Sequence, residues 1–122
     1  MTDSPLVEIR LTPEFQRKLK NLAKKYRQIP TDIQPVLEQL QVGDFLGDRI
    51  PDIGFPVMKV RIRNSDTQKG KSGGYRLIYW ISSTMLIVLL DIYSKSERED
   101  IEIEEIRQII KGFSTTPEET DA

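Results

Sequence analysis

A chain of 122 residues with 18 basic and 19 acidic side chains, no histidine and no cysteine is long enough to bury a single-domain core without disulfide or metal staples. Those two absences exclude disulfides, thiolate metal sites and histidine-assisted hydrolysis, leaving acid–base chemistry to Lys, Tyr, Asp, Glu or a polarised water. With no run near the ~18 apolar residues of a membrane span and no basic-then-apolar leader, the expectation is a cytoplasmic protein with no membrane partner.

In chain order, Val7–Leu11 alternates apolar and polar residues and predicts a short strand. Thr12-Pro13-Glu14 then reads as a helix start, a hydroxyl cap followed by proline at the first helical position and an acid in the first turn. Phe15, Leu19, Leu22 and Tyr26 follow at helical spacing, so this helix is expected to run to near Pro30. A second helix is expected from Thr31 or Asp32 to Leu40, with Pro35 in its first turn, where a missing N–H costs nothing. Glycines and prolines between Gly43 and Pro56 predict a connecting loop.

Three strands follow in the expected order. Val57–Arg63 alternates, setting Met58, Val60 and Ile62 against Lys59, Arg61 and Arg63. Tyr75–Ile81 is rich in strand formers, with Trp80 expected beneath the last helix, and Ser82-Ser83 turns into Met85–Tyr93, apolar on both faces and therefore interior. Ser94 and Ser96, each followed three residues later by a glutamate, predict a last helix opening near Ser96 and running to Phe113. The simplest wiring is an antiparallel meander. The expected fold is α+β, ordered β-α-α-β-β-β-α: a small antiparallel sheet packed against two N-terminal helices, with a C-terminal helix. One domain over residues 1–114 and a flexible acidic tail over 115–122 complete the expectation.

Charge is unevenly spread: Met58–Lys95 holds seven basic and two acidic residues, whereas Ser96–Ala122 holds three basic and nine acidic. Solvated faces explain most charge runs, but like charges facing one another on a sheet destabilise it. If the strands carrying Lys59, Arg61 and Arg76 pair, these cations converge, with Arg63, Lys69 and Lys71 beside them as RNA-binding candidates. Phosphate relieves such crowding, and arginine's planar fork suits its oxygens. An RNA-cleaving site without histidine needs a base for a 2′-hydroxyl, and Lys59 between Arg61 and Arg76 is placed for it. Arg61 and Arg76 would stabilise the charged transition state. No cofactor and no metal enter this scheme.

Three stretches taken together, KVRIR from Lys59, GKSGGYRLIY from Gly70 and LLDIYSKSERED from Leu89, resemble the RelE/HigB-like toxins of bacterial type II toxin–antitoxin modules. The resemblance spans residues 7 to 112 and implies an mRNA interferase that acts on message in the ribosome and is silenced by a cognate antitoxin. It also implies Lys59 as general base and Arg76 as the phosphate-stabilising arginine, with Arg61 as a second basic position. RelE members carry a catalytic tyrosine near the start of the last helix, whereas Glu99–Glu105 here holds only acids and isoleucines; Tyr93 with Lys95 is the substitute. ParE-like relatives of the same fold poison gyrase instead, and a non-catalytic RNA- or protein-binding module is the third alternative.

Overall fold

The computed structural model describes residues 6–66, 74–98 and 100–114. Eight elements follow in chain order: β1 (Glu8–Leu11), α1 (Pro13–Lys25), α2 (Ile29–Gln41), β2 (Asp48–Arg49), β3 (Val57–Ile62), β4 (Tyr75–Ser83), β5 (Leu86–Ser94) and α3 (Ile103–Ser114). The strands form one sheet in the order β1-β5-β4-β3-β2.

The fold is α+β, but the sheet is mixed rather than antiparallel, because β1 runs parallel to β5 with Glu8 opposite Leu86 and Leu11 opposite Leu89. The alternation of Val7–Leu11 specifies a strand without specifying its partner. That partner is fixed by the helix cap at the strand's end: buried Thr12 accepts a hydrogen bond from the Phe15 amide at 3.1 Å and donates its own hydroxyl proton to the Leu89 carbonyl at 3.0 Å. One side chain thus starts α1 and pins it, with β1, to β5.

Helices cover both faces. On one, Phe15 and Leu22 of α1 and Ile29, Ile33 and Leu40 of α2 pack on Tyr75, Leu77 and Tyr79 of β4. On the other, Ile106, Ile109 and Ile110 of α3 pack on Val57, Ile78, Val88 and Leu90, so the two-helix layer expected from the sequence is matched by a third helix across the sheet. Trp80 lies under α3 as expected, edge-on to Phe113 at 6.4 Å and to Phe55 at 5.9 Å.

Three boundaries differ from expectation. The first helix ends at Lys25 and the second begins at Ile29, ahead of Pro30. Pro35 therefore falls in the interior of α2, where its ring removes a bond to the Thr31 carbonyl. The last helix opens at Ile103, not Ser96. Three of the four residues of the anticipated capping boxes are used elsewhere, and the fourth, Glu99, lies outside the described residues: the Glu97 carboxylate takes Lys25 at 2.7 Å and the Tyr26 hydroxyl at 3.2 Å, and the Ser94 and Ser96 hydroxyls bond each other at 2.9 Å. The connection between α2 and β3 carries β2, held by a close approach at Gly47, whose φ is +102° and whose added Cβ would lie 2.5 Å from the Lys59 carbonyl oxygen.

A register shift between β4 and β5 sets which side chains share a face. Ile78 faces Asp91 and Tyr79 faces Leu89, leaving Leu90 without an opposite residue. This bulge moves Ile92 into the layer under α1 and α2 and turns Tyr93 toward the α3 side.

Candidate functional site

Strand register builds a row of polar groups across three adjacent strands on the α3 side: Arg61 of β3 faces Arg76 of β4, which faces Tyr93 of β5. Lys59 points the same way two residues earlier on β3, opposite Ile78, about 7 Å along the strand from Arg61. Four of the five predicted catalytic residues are thereby gathered on one face.

Arg76 is not the exposed cation that its position after a glycine-rich loop suggests. It is 5% exposed, because β4 is the central strand and has neighbours on both sides. Its Nη1 donates to the Tyr75 carbonyl at 3.2 Å. Burial, and then the facing Arg61, pull its pKa below the ordinary arginine value, while Tyr93 and Asp100 oppose the shift. Guanidinium nevertheless stays charged at any physiological pH.

Tyr93, also 5% exposed, donates its hydroxyl proton to Asp100 Oδ1 at 3.0 Å and has the Arg98 guanidinium over its ring at 5.9 Å. Burial first, and then the bond to Asp100, push the phenol pKa upward, so this group stays a proton donor. Asp100 is the residue that sequence reasoning missed. Its Oδ1 accepts from the Ile101 amide at 2.8 Å and lies 3.5 Å from Lys59 Nζ. Burial works against its ionisation, but the Ile101 amide, the Tyr93 hydroxyl and Lys59 outweigh it and hold the carboxyl below the usual range. In the sequence Asp100 is one acid among nine after Ser96, with nothing in its spacing to single it out.

The remaining candidates divide. Exposed Arg63 lies just beyond β3, and residues 59–63 border an open groove of about 570 Å³ that Thr31, Asp32 and Val36 of α2 also line, so this groove belongs to the α2 side and is distinct from the row on the α3 face. Lys95 is half-buried just past β5, and its amide donates to the Gly74 carbonyl at 2.8 Å. Lys69 and Lys71 lie outside the described residues, as does the acidic tail over 115–122. Gly74 itself is needed where it stands, since a Cβ there would come within 2.0 Å of the Ile62 carbonyl oxygen.

A second charged cluster supports the site from behind. Asp91 is fully buried, with Lys18 Nζ of α1 2.6 Å from its Oδ1 and no well-aligned hydrogen bond to either oxygen. Burial raises its pKa despite Lys18. Lys18 also lies 3.7 Å from Glu105 of α3, which takes Arg98 at 2.6 Å. This chain of ions ties α1 to β5 and α3 beside the Tyr93–Arg98 contact.

Chemically, the face offers two facing guanidinium groups, the Lys59 amine nitrogen and a phenol held protonated, partly shielded from water. That set stabilises added negative charge and can move a proton. No model of a known protein family matches the chain, and no curated protein matches it. Among the described residues no helix is long and apolar enough to cross a membrane.

Proposed function

We propose that this protein is a metal-independent endoribonuclease, an mRNA interferase of the RelE/HigB type acting on ribosome-bound message in the cytoplasm and restrained by a cognate antitoxin. The row Arg61–Arg76–Tyr93 with Lys59 on the same face is the observation that supports it. In this scheme Arg61 and Arg76 hold the phosphate, and their charge acts on the pentavalent state more than on the diester. Lys59, as general base, takes the 2′-hydroxyl proton as the 2′-oxygen bonds to phosphorus. The bond to the 5′-oxygen breaks, and that oxygen receives a proton from the Tyr93 hydroxyl; Lys95, two residues on, is the further cation assigned to this step. The products are a 2′,3′-cyclic phosphate and a 5′-hydroxyl. The tyrosinate is restored by a proton from the Lys59 ammonium through water, so both groups return to their starting forms.

The test is toeprinting of mRNA on ribosomes with the purified protein, followed by analysis of the RNA ends. Expected are ribosome-associated cuts that carry cyclic phosphate ends, persist when transition metals are removed at a Mg²⁺ concentration that keeps ribosomes intact, and vanish when the attacking 2′-hydroxyl is replaced by hydrogen. Intact message together with inhibited gyrase supercoiling would transfer the reading to a gyrase poison, and cuts with 3′-hydroxyl ends would contradict the internal-attack mechanism.

A further inference from the structure

One oxygen atom carries three interactions at the edge of the basic row. Asp100 Oδ1 accepts from the Tyr93 hydroxyl at 3.0 Å and the Ile101 amide at 2.8 Å, and stands 3.5 Å from Lys59 Nζ. It therefore occupies the position of an anion between the proposed general base and the proposed general acid. We propose that Asp100 selects which anions bind the basic face: its carboxylate fills an anion position between Lys59 and Tyr93 in the free protein, and a ribonucleotide strand binds by exchanging a backbone phosphate for it. This rests on the RNA-cleaving reading and assigns the strand a second phosphate position beside the Arg61–Arg76 pair.

The exchange costs little when the incoming phosphate oxygens take over the Tyr93 hydroxyl and the Ile101 amide. The Asp100 side chain is 62% exposed, so it can swing into water and be rehydrated, and an exposed ion pair is a weak competitor. Its backbone need not follow, because Arg98 Nε holds the Asp100 carbonyl at 2.7 Å while Arg98 Nη2 holds Glu105 at 2.6 Å. A phosphodiester presents two unesterified oxygens, one for Lys59 Nζ and one for the Tyr93 hydroxyl, where the carboxylate brings Oδ1 to both. Selectivity arises from spacing. Lys59 and Arg61 are about 7 Å apart along β3, so a chain of linked phosphates engages the Arg61–Arg76 pair and the Asp100 position together, and the first contact raises the effective concentration of the second. An isolated anion has only the exchange of one negative charge for another, with little gain.

The test compares the parent with Asp100→Asn, and with Glu102→Gln as a control that removes one negative charge from an exposed neighbour. Asparagine keeps an oxygen for the Tyr93 hydroxyl and the Ile101 amide; Asp100→Ser replaces it if melting curves show loss of fold. The probes are a short, fluorescent, fully 2′-O-methylated oligoribonucleotide, which cannot be cleaved, and pyrophosphate. Asp100→Asn is expected to bind the oligonucleotide about threefold more tightly than the parent, the scale set by an exposed ion pair, with Glu102→Gln unchanged. Equal binding by all three proteins, a gain shared by both variants, or weaker binding by Asp100→Asn would overturn the proposal. If the oligonucleotide binds none of them while pyrophosphate binds Asp100→Asn more tightly than the other two, the anion position stands and the RNA reading falls. Binding of neither probe removes both.

Discussion

Arg61 stands directly opposite Arg76 on neighbouring antiparallel strands, a pairing of like charges that weakens a sheet. Stability is therefore given up at this position, and Arg61→Gln is expected to recover about 0.5 kcal/mol in urea melts. The same substitution should weaken binding of the uncleavable oligonucleotide and reduce the slope of log affinity against log salt by about 1. A variant that becomes more stable without losing affinity would show the facing arginines to be incidental.

Because Arg76 is buried rather than exposed, Arg76→Ala confounds fold and function: it is expected to cost about 2 kcal/mol by leaving a void and stranded partners. Arg76→Met fills the space without the charge, and replacing buried charge by apolar volume is often close to neutral. If the parent arrests growth on induction, as the proposed interferase activity requires, Arg76→Met should give a folded protein by thermal melting that does not. Growth arrest at the parental level would remove the guanidinium from the mechanism.

Lys18→Met is expected to destabilise the protein by about 3 kcal/mol at neutral pH, since it leaves the Asp91 carboxylate buried without its counter-ion. The effect has a definite pH dependence. Asp91 has a folded-state pKa raised above its unfolded value, so its ionisation opposes folding as pH rises through the folded pKa, and the protonated form is favoured below the unfolded one. The gap between parent and Lys18→Met should accordingly shrink as pH falls toward the ordinary carboxylate range, measured by urea melts at a series of pH values.

Two glycines should respond in opposite directions to alanine. At Gly74 the new methyl would sit 2.0 Å from the Ile62 carbonyl oxygen and 3.0 Å from the Asn64 nitrogen, forcing β3 and β4 apart at the end that carries Arg61 and Arg76. A loss of about 2 kcal/mol or more is expected. At Gly112, inside α3, a Cβ meets nothing within 4 Å, and alanine should add about 0.5–1 kcal/mol by restricting the unfolded chain. Thermal melts of both variants check the contrast.

The sequence made Lys59, Arg61 and Arg76 legible as one patch, because strict alternation in Val57–Arg63 leaves only one way to bury Met58, Val60 and Ile62. It did not show that Arg76 is buried: a strand's depth depends on how many neighbours flank it, and β4 became central only once β5 and β3 had paired on either side. Tyr93 was legible as a candidate but not by parity. Counting alternately from Leu90 puts Tyr93 on the wrong face, and only the bulge at Leu90 brings it beside Arg76. Asp100 was hidden because its partners, Lys59 and Tyr93, lie 41 and 7 residues away, and the segment carrying it was expected to be helix. The parallel pairing of β1 was hidden for a related reason, its partner being 78 residues away.

That long-range pairing gives the protein an order of assembly. Strands β3, β4 and β5 are neighbours in the chain as well as in the sheet, and such local pairings pay little loop-closure entropy. Joining β1 to β5 must close a loop of 78 residues, and until it does the Thr12 hydroxyl has no Leu89 carbonyl to donate to. Pulse-labelled hydrogen exchange during refolding is expected to protect the amides of 75–83 and 86–94 before those of 8–11. The strands that bear Lys59, Arg61, Arg76 and Tyr93 would then be paired early, in the middle of the chain, and β1 would lock down last.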